Sequence, residues 1–313
     1  MLPEIAKRLM ATIPVVAVVA IAVFGLLHVT PGDPATIIAG DYATSEDIAR
    51  IRAKLGLDQP FLTQAVIWVG RILRGDLGTS IFSGLPVTKL IGQRAEATIG
   101  LTLFALAISV GIGVPIGVLA AWKKGSWVDR AVMIFAVSGF SMPTFYLGFL
   151  LVFVFAITAH WLPVQGYQPI VEGLWPFLSH LILPACTLSV VYMALIARMT
   201  RASMLSVLAE DYIRTAFAKG MAPTPVLLRH ALKNASLPIV TIIGIGFALL
   251  IGGAVVTESV FALPGLGRLT VDAIIRRDYP VIQGVILVVS IVYVLVNLSV
   301  DVLYVLLDPR IRY

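Results

Sequence analysis

Six stretches of this sequence, near residues 9–29, 98–122, 131–159, 180–197, 237–258 and 280–306, stay apolar for about the twenty residues a helix needs to cross a bilayer core roughly 30 Å thick. Backbone polar groups inside hydrocarbon must be bonded within the segment itself, so the runs predict spanning helices and an all-α, polytopic membrane protein. Only 13% of the residues are charged, against about 25% in a typical soluble domain. Pro115, Pro143 and Pro184 interrupt three runs, which membrane helices tolerate where neighbours satisfy the freed backbone. The first run follows Lys7 and Arg8 and is longer than the apolar core of a secretion signal, so it reads as a retained anchor.

Basic residues set the orientation. With the N-terminus inside, short inner segments hold Lys123, Lys124, Arg130, Arg198, Arg201, Arg214, Lys219, Arg229, Lys233, Arg310 and Arg312, whereas short outer loops hold Arg268, Arg276 and Arg277. Six crossings then return the C-terminus to the cytoplasm. The net charge of +6 is an orientation signal; no basic run interleaved with aromatics suggests a nucleic-acid partner. The resulting plan is an anchor at 1–29, an external cap at 30–97, a five-helix core at 98–306 containing an inner loop at 198–236 and an outer loop at 259–279, and a cytoplasmic tail at 307–313.

Within the cap, "TSEDIARIRAKLG" predicts a helix capped by Thr44 or Ser45, with Glu46 and Asp47 at its positive end and Gly56 as its stop. "PFLTQAVIWVGRILRG" predicts a second, whose apolar stripe of Phe61, Leu62, Ala65, Val66, Val69, Ile72 and Leu73 fits either the membrane surface or packing on the protein itself.

Catalytic patterns are missing from the sequence. It contains neither a G-x-x-x-x-G-K-[ST] phosphate loop nor a G-x-S-x-G elbow. His28, His160, His180 and His230 stand far apart without a metal-ligand spacing, and the lone Cys186 reads as a packing residue. No catalytic residue, bound cofactor or metal is expected, and the near absence of ionisable residues from the spans argues against a proton-driven carrier. Glu258 and Asp301 near span ends read as interface carboxylates ahead of substrate ligands.

The charged stretch "EDYIRTAFAKG", residues 210–220, predicts a short amphipathic helix in the inner loop. Tyr212, Ile213, Ala216 and Phe217 fall on one face, while Glu210, Asp211, Arg214 and Lys219 are polar. Gly220 can end the helix in the left-handed conformation, and Thr224 and Pro225 restart a second one that runs toward Leu237 and Pro238 at the mouth of the fifth span. A rigid projection of this kind suits an anionic lipid surface or a groove on a partner protein, and Ala216, Ala218 and Gly220 permit close approach.

That stretch resembles the coupling loop of ABC importer permeases, whose pattern is Glu-Ala-Ala, three residues, Gly, and later Leu-Pro. Ala216, Gly220, Leu237 and Pro238 match; Arg214 and Thr215 depart from the general pattern in the manner of the dipeptide, oligopeptide, glutathione and nickel branch. "HVTPGDPA", "LGLDQP", "GDLGTS", "HLILPACTL", "HALKNASLP", "VFALPGLGRL", "RRDYPVIQ" and "NLSVDVLYVLLDPRIRY" are similar to that branch, in order, along almost the entire chain.

The resemblance implies a bacterial inner-membrane permease subunit. Its partners would be a homologous permease subunit in a heterodimer, two cytoplasmic ATPase subunits carrying ATP and Mg, and an external solute-binding protein. It implies uptake of short peptides by alternating access, with glutathione or nickel complexes as other cargo of the branch. Glu210, Asp211, Tyr212, Arg214, Thr215, Ala216, Ala218, Lys219 and Gly220 would couple to an ATPase. Candidate pathway residues are Met142, Phe145, Gly246, Gly252, Gly253 and Glu258, although tight helix packing is the favoured reading of each glycine taken singly and a proline kink accounts equally for Met142 and Phe145. Asp272, Arg276, Arg277 and Asp278 are candidate rim charges toward the binding protein. A self-sufficient carrier or channel is the competing reading, and only it would move solute when reconstituted alone.

Overall fold

The computed structural model describes residues 2–29, 34–39, 43–55 and 58–307, so the stop expected at Gly56 and residues 308–313 of the tail lie outside the described residues, as do the side chains of Lys7, Arg8 and His28. The elements in order are α1 (Leu2–Val29), α2 (Pro34–Ala39), α3 (Ser45–Leu55), α4 (Phe61–Leu73), α5 (Val87–Trp122), α6 (Trp127–Ser141), α7 (Thr144–Leu151), α8 (Leu174–Leu208), α9 (Asp211–Ala218), α10 (Pro223–Pro225), α11 (Leu232–Val260), α12 (Leu266–Arg276) and α13 (Tyr279–Leu307). Among the described residues β pairing is confined to the bridge Thr79–Pro86.

Among the described residues four helices are long and apolar enough to cross a membrane: Val87–Trp122, Leu174–Leu208, Pro223–Val260 and Tyr279–Tyr304. Met10–Gly25 is a shorter apolar helix. Pro115 and Pro184 lie inside unbroken helices, as their apolar settings predict. Pro143 behaves differently. The run expected as one span at 131–159 is two helices bent by 105°. Met142 takes φ −83°, ψ 127°, the extended conformation that a following proline ring imposes on its predecessor. Beyond α7 the chain continues as a π-helix, Val152–Thr158.

The chain divides into two compact units, Glu96–Arg268 with Val296–Tyr313, and Leu2–Ala95 with Leu269–Leu295. The first is built on α8, whose buried Leu181, Leu188 and Tyr192 pack with Leu101 and Ala105 of α5, Leu250 and Ala254 of α11, and Phe261 and Leu263 beyond it. Small residues let the helices approach: a Cβ on Gly117 would lie 2.6 Å from the Ala197 carbonyl oxygen. Gly117 with Gly113 is therefore a packing seam.

The second unit joins α1, α4 and the first turns of α13. Phe24 of α1 packs on Phe61 and Trp68 of α4, at ring distances of 5.3 and 5.4 Å. The Gln283 amide donates to the Val23 carbonyl at 3.2 Å. Thr44 and Asp47 cap α3 reciprocally: Thr44 Oγ1 accepts from the Asp47 N–H at 3.2 Å, and Asp47 Oδ2 accepts from the Thr44 N–H at 3.3 Å. On α4, Leu62, Val66 and Leu73 are at least 73% exposed, so apart from Phe61 much of the apolar stripe is left uncovered by the described part of the protein.

Candidate functional site

The segment 210–220 folds as a short helix with a firm seat and a free face. Glu210 is the N-cap with extended backbone and no side-chain cap bond; Asp211 lies in the first turn. At the other end Gly220, at φ 81°, directs its N–H to the Phe217 carbonyl, while the Met221 N–H reaches the Ala216 carbonyl. That pair of bonds is a Schellman stop, and it needs the left-handed conformation glycine adopts without cost.

Ile213 is the anchor, 1% exposed. It packs with Ala121 of α5, Met204 of α8, Val226, Leu227 and Ala231 of the π-helical turn, and Ala235 and Ile239 of α11. Ala216 and Met221 lie partly buried against the same cluster. Tyr212 and Phe217, expected on the buried face, are 43% and 44% exposed. Tyr212 is held from outside the cluster: its hydroxyl accepts from Asn234 Nδ2 at 2.7 Å. Arg214 pairs with Asp211 at 3.0 Å in the open, and Thr215 Oγ1 donates to the Asp211 carbonyl. Ala218, Lys219 and Gly220 are exposed.

The second helix expected in this loop is not separate. α10, the π-helical turn Val226–Ala231 and α11 form one helical run, Pro223–Val260, with Pro238 inside it. Proline's missing N–H and ring bulk suggest a break there, but here the helix is continuous. Ile213 thus seats α9 against a membrane-length helix.

Beside this seat lies an ion pair of which sequence reasoning counted only Arg201, as an orientation charge. Asp129, buried at the start of α6, accepts from Arg201 Nε at 2.5 Å and Nη2 at 2.8 Å, and from the Gly125 N–H at 2.9 Å. The Arg201 hydrogen bond, aided by the Gly125 N–H against the cost of burial, holds the carboxyl at about 2, below its ordinary range. Ser126 caps the helix by accepting from the Asp129 N–H. The Ser-x-x-Asp spacing before an apolar run was the available signal.

The expected pathway residues disperse. Phe145 is half exposed beside the α6–α7 break, and Met142 caps it. Gly246 and Gly253 face Tyr192 of α8, whereas Gly252 is exposed with open space around it. Glu258 is not a lining residue: it is fully buried. Its Oε1 accepts from Thr98 Oγ1 at 2.6 Å and its Oε2 from the Arg268 N–H at 2.9 Å. Thr98 Oγ1 in turn accepts from the Leu266 N–H. A Cβ on Gly265 would collide with that carboxylate, so the "PGLG" turn is wrapped around Glu258.

Of the external charges, Asp272, Arg276 and Arg277 are exposed. Asp278 is not a rim charge. It is 4% exposed, accepting from Ser80 Oγ at 2.5 Å and from the Ile81 N–H at 3.1 Å.

Residues 113–313 match the family described as binding-protein-dependent transport system inner membrane component, and residues 1–102 match the N-terminal family of the same components. The probable peptide ABC transporter permease protein y4tP of Sinorhizobium fredii is 55% identical over 309 residues, 99% of each chain. The glutathione transport system permease protein GsiC of Salmonella typhi is 45% identical over 313 residues, the full length of both. A chain of the inward-facing MetNI methionine ABC transporter superposes with a TM-score of 0.57 at 20% identity, over 71% of this chain and 97% of that one. That last likeness is one of fold.

Proposed function

The chain belongs to the family of inner-membrane components of binding-protein-dependent transport systems, and on that premise we propose that it couples ATP hydrolysis in partner subunits to the import of short peptides. It is a multi-pass ABC transporter permease subunit. Short peptides are the favoured cargo because the relative sharing 55% of its residues is named a probable peptide permease. Glutathione, itself a short peptide, is the second reading, from the 45% identical relative.

In this reading six spans leave both termini in the cytoplasm, a similar permease subunit completes the translocation path, and two ATPase subunits carry ATP and Mg. The external solute-binding protein delivers cargo to the face bearing α12. The observation that carries the proposal is the construction of α9. Its Ile213 side is locked into a core shared with α5, α8 and α11, while Tyr212, Arg214, Phe217 and Ala218 are left uncovered. Such a helix receives force on one face and delivers it through the other.

Cysteine crosslinking tests this. Ala218→Cys paired with cysteines in the ATPase groove is expected to form a disulfide in the working complex, with a yield that changes on ATP binding. Failure to crosslink in an active complex, or solute uptake by this chain reconstituted alone, overturns the proposal.

A further inference from the structure

Within the unit Leu2–Ala95 with Leu269–Leu295, the turn at 80–83, the start of α5 and the end of α12 line a half-open cavity of about 200 Å³. Its lining includes Phe82, Leu90, Arg94, Asp272, Arg276 and Asp278. The two acids and two bases are not equivalent. Asp278 is already bonded to Ser80 and Ile81. The side chains of Arg94, partly buried, and of Arg276 and Asp272, both exposed, form no hydrogen bond or ion pair among the described residues.

Two uncommitted guanidinium groups at one small cavity favour a carboxylate, which each can meet with charge-assisted, bidentate hydrogen bonds. Size narrows the choice further. Small-molecule sites commonly occupy about 300–1,000 Å³, so this cavity suits one projecting side chain better than a whole peptide. Phe82, 50% exposed at the same cavity, offers an apolar wall to the methylenes of such a side chain.

We propose that this cavity is the receptor for an acidic side chain on the solute-binding protein, clasped between Arg94 and Arg276. The proposal rests on the transport reading above and deepens it: Arg94, on the first turns of α5, joins α12 in recognition, and Arg277, which does not line the cavity, lies outside the clasp. Asp278 fixes the turn that forms one wall. Asp272 disfavours a second acid beside the first, which adds selectivity in the incoming segment.

The test uses the complete transporter in lipid nanodiscs with its binding protein, reading ATPase rate against binding-protein concentration. R94E and R276E are each expected to raise the half-saturating concentration tenfold or more. R74E, an equal charge change elsewhere in this unit, is expected to stay within twofold of wild type. R94Q and R276Q guard against misassembly and are expected to shift half-saturation about threefold with a weaker salt dependence. An acid-to-lysine change on the binding protein that rescues R276E identifies the guest residue. Shifts no larger than that of R74E overturn the proposal while leaving the transport reading intact. Free glutamate bound with the same arginine dependence, in the absence of binding protein, overturns it in favour of a small-molecule site. A wild-type complex indifferent to its binding protein overturns the transport reading as well.

Discussion

Asp129 and Arg201, 72 residues apart, meet in a two-pronged ion pair with the carboxylate 6% exposed and the guanidinium 23% exposed. The pair fastens the turn between α5 and α6 to the C-terminal part of α8, next to the seat of α9. Breaking a fully buried pair costs roughly 3–5 kcal/mol; the partial exposure of Arg201 reduces the expectation for Asp129→Asn to about 1–3 kcal/mol.

The pH dependence follows from the depressed carboxyl value of about 2. Its stabilising contribution is complete above the ordinary aspartate value of 3.8 and is lost as pH falls toward the folded value. Thermal melts of the purified protein should therefore separate wild type from D129N at neutral pH, and the separation should begin to shrink below about pH 4 and close toward pH 2. A constant difference across that range would mean the pair contributes through shape alone.

Ile213 and Tyr212 should separate stability from alignment. Ile213→Ala empties a fully buried site, and the loss expected from denaturant melts is about 2–4 kcal/mol. Tyr212→Phe removes only the bond from Asn234, at a cost of about 0.5–1 kcal/mol. A double-mutant cycle with Asn234→Ala should return that same coupling energy, and transport per ATP hydrolysed should fall more than stability does. Additive effects of the two changes would remove the clamp assigned to this bond.

Four of the six expected spanning runs, the helix at 211–218 and its glycine stop were legible in the sequence, because each is decided by nearest neighbours: periodicity, a cap and one permissive residue. What was illegible depends on remote donors. Glu258 read first as an interface carboxylate and stood also among the pathway candidates, and Asp278 read as a rim charge; their actual partners were out of sight, because Thr98 lies 160 residues from the first and Ser80 lies 198 from the second. Tyr212 and Phe217 shared a helical face with Ile213 on paper, but the cluster accepts only the side carrying Ile213 and Ala216. Pro143 and Pro238 read alike in sequence; one ends a helix and the other rides inside one.

Gly265 and Gly252 make a paired test of the turn wrapped around Glu258. Gly265→Ala pushes a methyl into the carboxylate and should destabilise by about 3 kcal/mol or more. Gly252→Ala meets nothing within 4 Å and should change stability by no more than about 1 kcal/mol. Melting temperatures of the two variants, measured side by side, decide it; equal losses would show that the turn does not depend on this close approach.

Gly220→Ala should cost about 1 kcal/mol, the penalty for a side chain in the left-handed region. Gly220→Asn should cost less, since asparagine tolerates that region. Hydrogen exchange at the amides of 220 and 221 reports the fraying directly, and unchanged protection in G220A would contradict the stop assigned here.

The uninterrupted run Pro223–Val260 has a mechanical consequence. Its 38 residues make a rod of about 57 Å at a rise of 1.5 Å per residue, nearly twice the hydrocarbon thickness. A swing of ~5° about its midpoint carries each tip about 2.5 Å in opposite directions. A displacement at the Pro223 tip of a rigid rod is therefore returned at the Val260 tip at full amplitude and reversed in sense, as by a seesaw.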